Sequence, residues 1–311
     1  MDLVHIPNVS LRQLQYIVAV ADLGGFRRAA DACGVAQPSL SVQVAQAERA
    51  LGVQIFERGR RTIGVSRAGA AIVDQARGVL IAARDLGDLA RQVADPFHGT
   101  LRLGVIPTVG PYLLPDITPA LARVFPHLKL QWTESRTADL VHAVRTGGLD
   151  CALLALEADV GGLEHEILGR DPFVLAASAR HPLVQPASPA SAAVLDGASV
   201  LLLDDGHCFR EQALNFCAQS GATEQSFRAT SLATLVQMVS AGTSVTLLPS
   251  LAVPVENRRG QLRIRRFASP EPGRTLALAW RHGSALRKPL SALADTIRAT
   301  LRPGKGKPRA L

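Results

Sequence analysis

The chain has 311 residues, 47% hydrophobic and 19% charged, which leaves room for two or three domains with buried cores and excludes disorder over most of its length. A formal net charge of +8 favours a polyanionic partner, nucleic acid first. The longest uncharged apolar runs, such as Val200-Leu201-Leu202-Leu203, are far shorter than a membrane span, and residues 1–5 carry no basic region before an apolar stretch; a cytoplasmic protein with no membrane partner is expected.

Leu11, Leu14, Ile17, Val18 and Ala21 recur at helical spacing, and Gly24-Gly25 break that helix. Phe26–Cys33 reads as a second helix ended by Gly34. A third starts around Gln37-Pro38, since Pro is tolerated in a first turn, buries Leu40, Val44, Ala47 and Leu51, and stops at Gly52. Residues 55–58, a Gly59-Arg60 turn and residues 62–65 predict a two-stranded wing. Residues 1–66 are therefore expected to be a winged helix-turn-helix that binds double-stranded DNA.

The outward face of the third helix carries Gln37, Ser39, Ser41, Gln43 and Gln46. Glutamine bonds adenine bidentately and serine serves base or phosphate, so these are candidate base-reading residues, with Pro38 and Arg12 counted in the same surface. Arg58, Arg60, Arg61 and Arg67 are candidates for phosphate contacts, which give affinity without sequence information. An ordinary solvated face has the same composition; the combination is more specific than its parts. Charge does not help, because residues 1–95 hold 11 arginines against nine acids and much of the excess lies in residues 258–274 and the tail.

In residues 67–96 the apolar positions Ile72, Ala76, Val79, Ala83, Leu86, Ala90 and Val93 step alternately by four and three, the seam of a coiled coil, and Pro96 ends it. A dimerising linker helix is expected, against the alternative of an amphipathic helix packed on its own domain.

Residues 97–302 alternate strand-like runs (100–106, 128–134, 150–156, 200–203, 244–248, 275–280) with helical ones such as 138–146 and 232–240. This predicts α/β structure with a largely parallel sheet. Breaks near 169–172 and 269–274 suggest two subdomains crossed twice by the chain, one of about 97–170 and 271–302, the other of about 171–270. Ligands in such folds bind in the cleft beyond the strand ends. Residues 303–311 read as a short basic tail.

Four cysteines occur: Cys33, Cys151, Cys208 and Cys217. In a reducing compartment these are thiols by default, and a disulfide would be transient. A helix is expected to start near Cys208, because Gly206 precedes it; a thiol there is stabilised as thiolate by the helix dipole. His207, Arg210 or Arg274 would add positive charge, and Asp204 and Asp205 oppose it. A thiolate that attacks a peroxide oxygen becomes a sulfenic acid, which a second thiol traps as a disulfide. Nine residues along a helix span about 13.5 Å and end on opposite faces, whereas a disulfide needs Cα atoms roughly 4.4–6.8 Å apart. If both cysteines share one helix, bridging them must unravel part of it. The alternative is two buried structural thiols, which is the expectation for Cys33 and Cys151. Neither zinc-ligand spacing nor a fourth ligand is apparent, so no metal and no cofactor are expected.

Ala29-Ala30, then Val35-Ala36-Gln37-Pro38-Ser39-Leu40-Ser41-Val42-Gln43-Val44, then Glu48, Leu51-Gly52, Ile55-Phe56-Glu57-Arg58 and Ser66-Arg67-Ala68-Gly69 resemble the signature of LysR-type transcription regulators over about 60 residues. The resemblance implies a winged helix-turn-helix, a linker helix and a two-subdomain effector domain like that of periplasmic binding proteins. It also implies an oligomer, usually a dimer of dimers, that sits on promoter operators and works with RNA polymerase. Further, the run from Leu201 to Cys217 resembles the redox segment of the peroxide-sensing members of that family, as do Ile106-Pro107-Thr108, Glu134-Ser135-Arg136-Thr137 and Pro270-Glu271-Pro272-Gly273-Arg274-Thr275. By that match Cys208 reacts with hydrogen peroxide and Cys217 resolves. Thr108, Thr137 and His207 hold the peroxide with Arg210 in the same pocket, and Arg274 favours the thiolate. The implied protein is an activator of oxidative-stress genes, reset by a cytoplasmic thiol reductant, and not an enzyme. Two other functions fit parts of the chain: a LysR-type regulator answering a small organic effector, and a thiol peroxidase, for which the first 95 residues have no use.

Overall fold

The computed structural model describes residues 7–58 and 63–301. It divides into two units, Met1–Ala90 and Arg91–Leu311.

The first unit opens with α1 (Leu11–Leu23), α2 (Phe26–Cys33) and α3 (Gln37–Leu51). Ser10 starts α1 through a reciprocal cap: its hydroxyl accepts from Gln13 N while the Gln13 side chain accepts from Ser10 N. The α2–α3 turn is made at Gly34, whose φ of 66° lies in the left-handed region. Ile17, Val20, Phe26, Leu40, Val44 and Ile55 close the core between these helices. Strands β1 (Phe56–Arg58) and β2 (Ile63–Val65) pair antiparallel as the wing. Glu48 Oε1 accepts from the backbone N–H groups of Ile55 and Phe56, fixing the wing to α3. The Gly59-Arg60 turn expected between the strands lies outside the described residues.

Helix α4 (Arg67–Ala94) follows at once. Gly69 lies so close to the wing that an added Cβ would meet Ile55 O at 2.3 Å. Val73 and Ala76 are buried and Ile72 packs against the helix-turn-helix core. The first turns of α4 therefore belong physically to the DNA-binding unit, and beyond them Val79, Leu86 and Leu89 are exposed.

The second unit contains β3 (Gly99–Val105), α5 (Gly110–Val124), β4 (Leu128–Glu134), α6 (Thr137–Arg145), β5 (Cys151–Ala155), β6 (Glu164–Ser178), β7 (Ser199–Leu203), α7 (Cys208–Gln219), β8 (Thr223–Ala229), α8 (Leu232–Ala241), β9 (Val245–Pro249), α9 (Val253–Glu256), β10 (Leu262–Arg266), β11 (Gly273–Trp280) and α10 (Arg287–Leu301). The strands run in the order β4-β3-β5-β11-β6-β9-β7-β8, with β10 also paired to β6.

Two expectations need correction. The sheet is mixed rather than largely parallel: β3/β4, β3/β5, β7/β8 and β7/β9 are parallel, while β5/β11, β11/β6, β6/β9 and β6/β10 are antiparallel. The stretch Gly169–Pro172, expected as a break between subdomains, also carries no gap in the strand. It lies inside β6, which pairs with β11 over 164–172 and with β9 over 173–177. Asp171 in this stretch is fully buried on Arg274, so the polar residues at the expected subdomain break lie on the continuous strand that crosses between the two halves.

Each half has its own core. The first gathers β3, α5, α6, β5, β11 and α10 around Leu103, Ile117, Leu153 and Leu293. The second gathers β7, α7, α8 and β9 around Leu175, Leu202, Leu235 and Leu247. Truncating one such side chain to Ala costs about 2–5 kcal/mol. Among the described residues no helix is long and apolar enough to cross a membrane.

Candidate functional site

On α3, Gln37, Pro38 and Ser39 are exposed, and Ser41 and Gln43 are half-buried. Gln37 Nε2 donates to Ser41 Oγ at 3.2 Å, and Gln13 Nε2 donates to Gln43 Oε1 at 3.0 Å. Gln43 is thus held by α1 rather than standing free. Val42, which the sequence reading passed over, is 53% exposed on this helix. An exposed Arg12 donates to Tyr16 OH at 3.0 Å. The Arg58 side chain and all of Arg61 lie outside the described residues.

The seven expected seam positions of α4 divide. Val79, Leu86 and Ala90 are exposed and Ala83 is half-buried. Ile72 and Ala76 are already covered by their own unit, and the Val93 side chain lies outside the described residues.

The thiols sit at opposite ends of α7. Cys208 is its first residue, with His207 at the N-cap. Cys208 packs with the first core and Cys217 with the second. The half-turn excess over nine helical residues puts the two side chains on opposite faces. Both are free thiols here. Burial pushes the Cys217 thiol up to about 11 and the fully buried Cys151 thiol well above its usual value.

A cavity too tight to admit a water molecule brings together Thr108 from the β3–α5 loop, Thr137 from the start of α6, and Gly206, His207 and Cys208 from the start of α7. The Thr137 hydroxyl is buried and has no hydrogen-bond partner. The Thr108 hydroxyl accepts from Arg274 Nη1 at 2.6 Å, and its carbonyl accepts from Arg274 Nη2 at 2.8 Å. Burial, and then the charge of Arg136, lower the His207 pKa, so that imidazole favours its neutral form.

Two of the expected pocket residues do something else. Arg210 does not line the cavity; it donates to Asp205 at 2.8 Å and to Glu224 at 2.6 Å, clamping α7 to β8. Arg274 stands behind Thr108 with its charge matched by Asp171 at 3.0 Å and its guanidinium 5.7 Å from the Phe209 ring. The residue missed is Arg136, which lines the cavity. It stood in the sequence within the matched run Glu134-Ser135-Arg136-Thr137, with no role of its own. Beyond Cys208 the cavity gives way to an open groove of about 380 Å³, lined by Thr137, Ala138, Val141, His142, Cys208 and Glu211 among others.

Comparison with known proteins agrees with this architecture. Residues 11–70 match the model of the bacterial regulatory helix-turn-helix protein, lysR family, and residues 94–302 that of the LysR substrate binding domain. The chain is 45% identical to a hydrogen peroxide-inducible genes activator from Dickeya chrysanthemi, over 93% of this chain and 95% of that one. It is 44% identical to the DNA-binding transcriptional dual regulator OxyR of Escherichia coli (strain K12), over 94% and 96%. Its structure is similar to full-length OxyR from Pseudomonas aeruginosa, solved as a point variant, with a TM-score of 0.78 at 36% identity, covering 98% of this chain and all of that one. The chain belongs to the LysR family of bacterial helix-turn-helix regulators.

Proposed function

We propose that the protein is a DNA-binding transcription regulator that senses hydrogen peroxide through Cys208 and activates oxidative-stress genes once a Cys208–Cys217 disulfide has formed. One observation carries this reading. The two thiols share one helix, and the first lies on the wall of a tight polar cavity where the Thr137 hydroxyl lacks a protein partner. A peroxide entering from the adjoining groove, with oxygens that both donate and accept, satisfies that hydroxyl once the tight cavity widens to admit it. The names of the peroxide-inducible relatives support the same assignment.

The chemistry runs in two steps. The Cys208 thiolate attacks one peroxide oxygen; an S–O bond forms, the O–O bond breaks, and hydroxide leaves and takes up a proton. Cys217 sulfur then attacks the sulfenic sulfur, and water departs as the disulfide closes. In the reduced fold Cys217 is sealed and its thiol is held protonated, with a pKa of about 11. The second step therefore requires α7 to open. The ends of a nine-residue helical separation, about 13.5 Å, lie far beyond disulfide reach. Oxidation becomes a remodelled surface over residues 206–220, which shifts subunit packing.

On this reading α3 reads operator DNA through Gln37, Ser39, Ser41 and Gln43, with Arg58 and Arg61 on phosphates. A second copy pairs along α4, two such dimers assemble, RNA polymerase is the downstream partner, and a thiol reductant restores the reduced state. The test is stoichiometric peroxide on the full-length protein, with mass spectrometry of each cysteine, hydrogen exchange over 206–220 and operator footprinting. A Cys208–Cys217 disulfide with faster exchange and a changed footprint is expected. A disulfide that leaves exchange and footprint unchanged overturns the switch. The groove of about 380 Å³ favours a second reading, a small organic effector with incidental thiols; in that case an effector, and not peroxide, changes the footprint.

A further inference from the structure

Three arginines lie around the start of α7, and two are neutralised. Arg210 is bound to Asp205 and Glu224, and Arg274 to Asp171. Arg136 has no carboxylate or hydrogen-bond partner for its guanidinium among the described residues. It is the residue just before α6, and its side chain folds against Gly206, where Nη1 stands 2.7 Å from the position a Cβ would take. Gly206 has a φ of 87° and lies two residues before Cys208. Both Arg136 and Cys208 line the tight cavity.

We propose that Arg136 is the positioning cation of the peroxide reaction: its unneutralised charge supports the anionic sulfur of Cys208 and the hydroxide that leaves. This rests on the peroxide-sensing assignment and names a residue that the sequence match had not assigned. As the S–O bond forms and the O–O bond breaks, negative charge passes from sulfur to the departing oxygen, and a cation lying against Gly206 at the cavity wall stabilises both ends of that path. Arg274 acts otherwise, holding Thr108 in place through two hydrogen bonds.

The remaining charges around Cys208 frame the test. His207 lines the same cavity and Glu211 lines the groove, both from the α7 segment. Asp204 acts on His207, and the Asp205 carboxylate is held by Arg210 and Arg228. From α6 and the β5–β6 loop, His142, Arg145 and Asp159 line the groove but not the cavity. Arg136 is the cation that lines the cavity itself. It is exposed, so its effect is modest and salt-dependent.

The experiment compares full-length wild type, Arg136→Gln and Arg136→Lys. Alkylation of Cys208 is followed against pH by mass spectrometry of its peptide, and the peroxide rate constant is measured at low and high salt. For Arg136→Gln, the alkylation profile is expected to move to higher pH and the neutral-pH peroxide rate to fall about fivefold at low salt, less at high salt. Arg136→Lys is expected to keep most of the rate. A wild-type profile in Arg136→Gln at low salt overturns the proposal. So does an equal, salt-insensitive loss in both variants with the profile unmoved, which marks a structural role. If wild-type Cys208 itself fails to oxidise, the peroxide-sensing assignment falls instead.

Discussion

The two ends of α7 are held by different physics. At the first, Cys208 stands on a polar cavity, and its neighbour Phe209 is buried edge-on to Phe173 at 5.1 Å and beside Arg274. At the other, Cys217 is sealed in an apolar core and Phe216 packs edge-on to Phe267 at 5.1 Å. On the proposed reading, the first end is the one that reacts and the second stays shut until the helix yields. Both thiols are buried, and they differ in what buries them: Cys208 borders a cavity and a groove, Cys217 is enclosed by apolar side chains, and one helix joins the two.

The comparison breaks first at the thiols themselves. Cys208→Ser should abolish the peroxide-induced change in footprint, because a hydroxyl does not attack peroxide appreciably. Cys217→Ser should still give a sulfenic acid at Cys208, detectable by a dimedone adduct, but no disulfide and no stable remodelling. Identical behaviour of the two variants would erase the distinction between the ends. Next in size is Phe209→Ala, expected to lower the unfolding free energy in urea by about 3–5 kcal/mol, since the ring is almost fully buried.

A smaller effect sharpens the closed end. The Cys217 thiol is raised in the fold from 9.0 to about 11. Above pH 9 the unfolded chain loses this proton while the folded chain keeps it, so stability drains away as pH rises towards 11, by about 2 kcal/mol. Cys217→Val should lose correspondingly less over that window in parallel urea titrations. Smallest is Glu224→Gln, which weakens the Arg210 clamp. At this partly exposed pair the expected cost is about 1 kcal/mol, read as faster hydrogen exchange in α7.

Much of this was visible in the residues. Gly24, Gly34 and Gly52 punctuate three helices with apolar faces, and α1 to α3 fall where those signals put them. Gly206 marked the start of α7. Strands failed where burial overrode composition or its absence hid the pattern. In β6, Gly169-Arg170-Asp171-Pro172 has the chemistry of a turn, yet Asp171 is matched by Arg274 from a strand about 100 residues away. Strand β8 is mostly exposed and polar, and β10 carries three arginines, so neither shows an alternating apolar face. The partners of Arg210 and Arg274, and the absence of a carboxylate at Arg136 among the described residues, were illegible for one reason. Whether an arginine is neutralised depends on which carboxylate the fold brings to it, and that is a tertiary fact.

Gly69 has a mechanical consequence. Because α4 meets the wing with no room for a side chain, and Val73 and Ala76 are buried beneath it, the first turns of α4 and the helix-turn-helix form one stiff piece. A helix of 28 residues is about 42 Å long, so a tilt of about 5° displaces one end against the other by about 4 Å. That exceeds the reach of a hydrogen bond, about 3 Å. Within this stiff piece, an angular change too slight to disturb its packed core is thus enough to make or lose a hydrogen bond at its end.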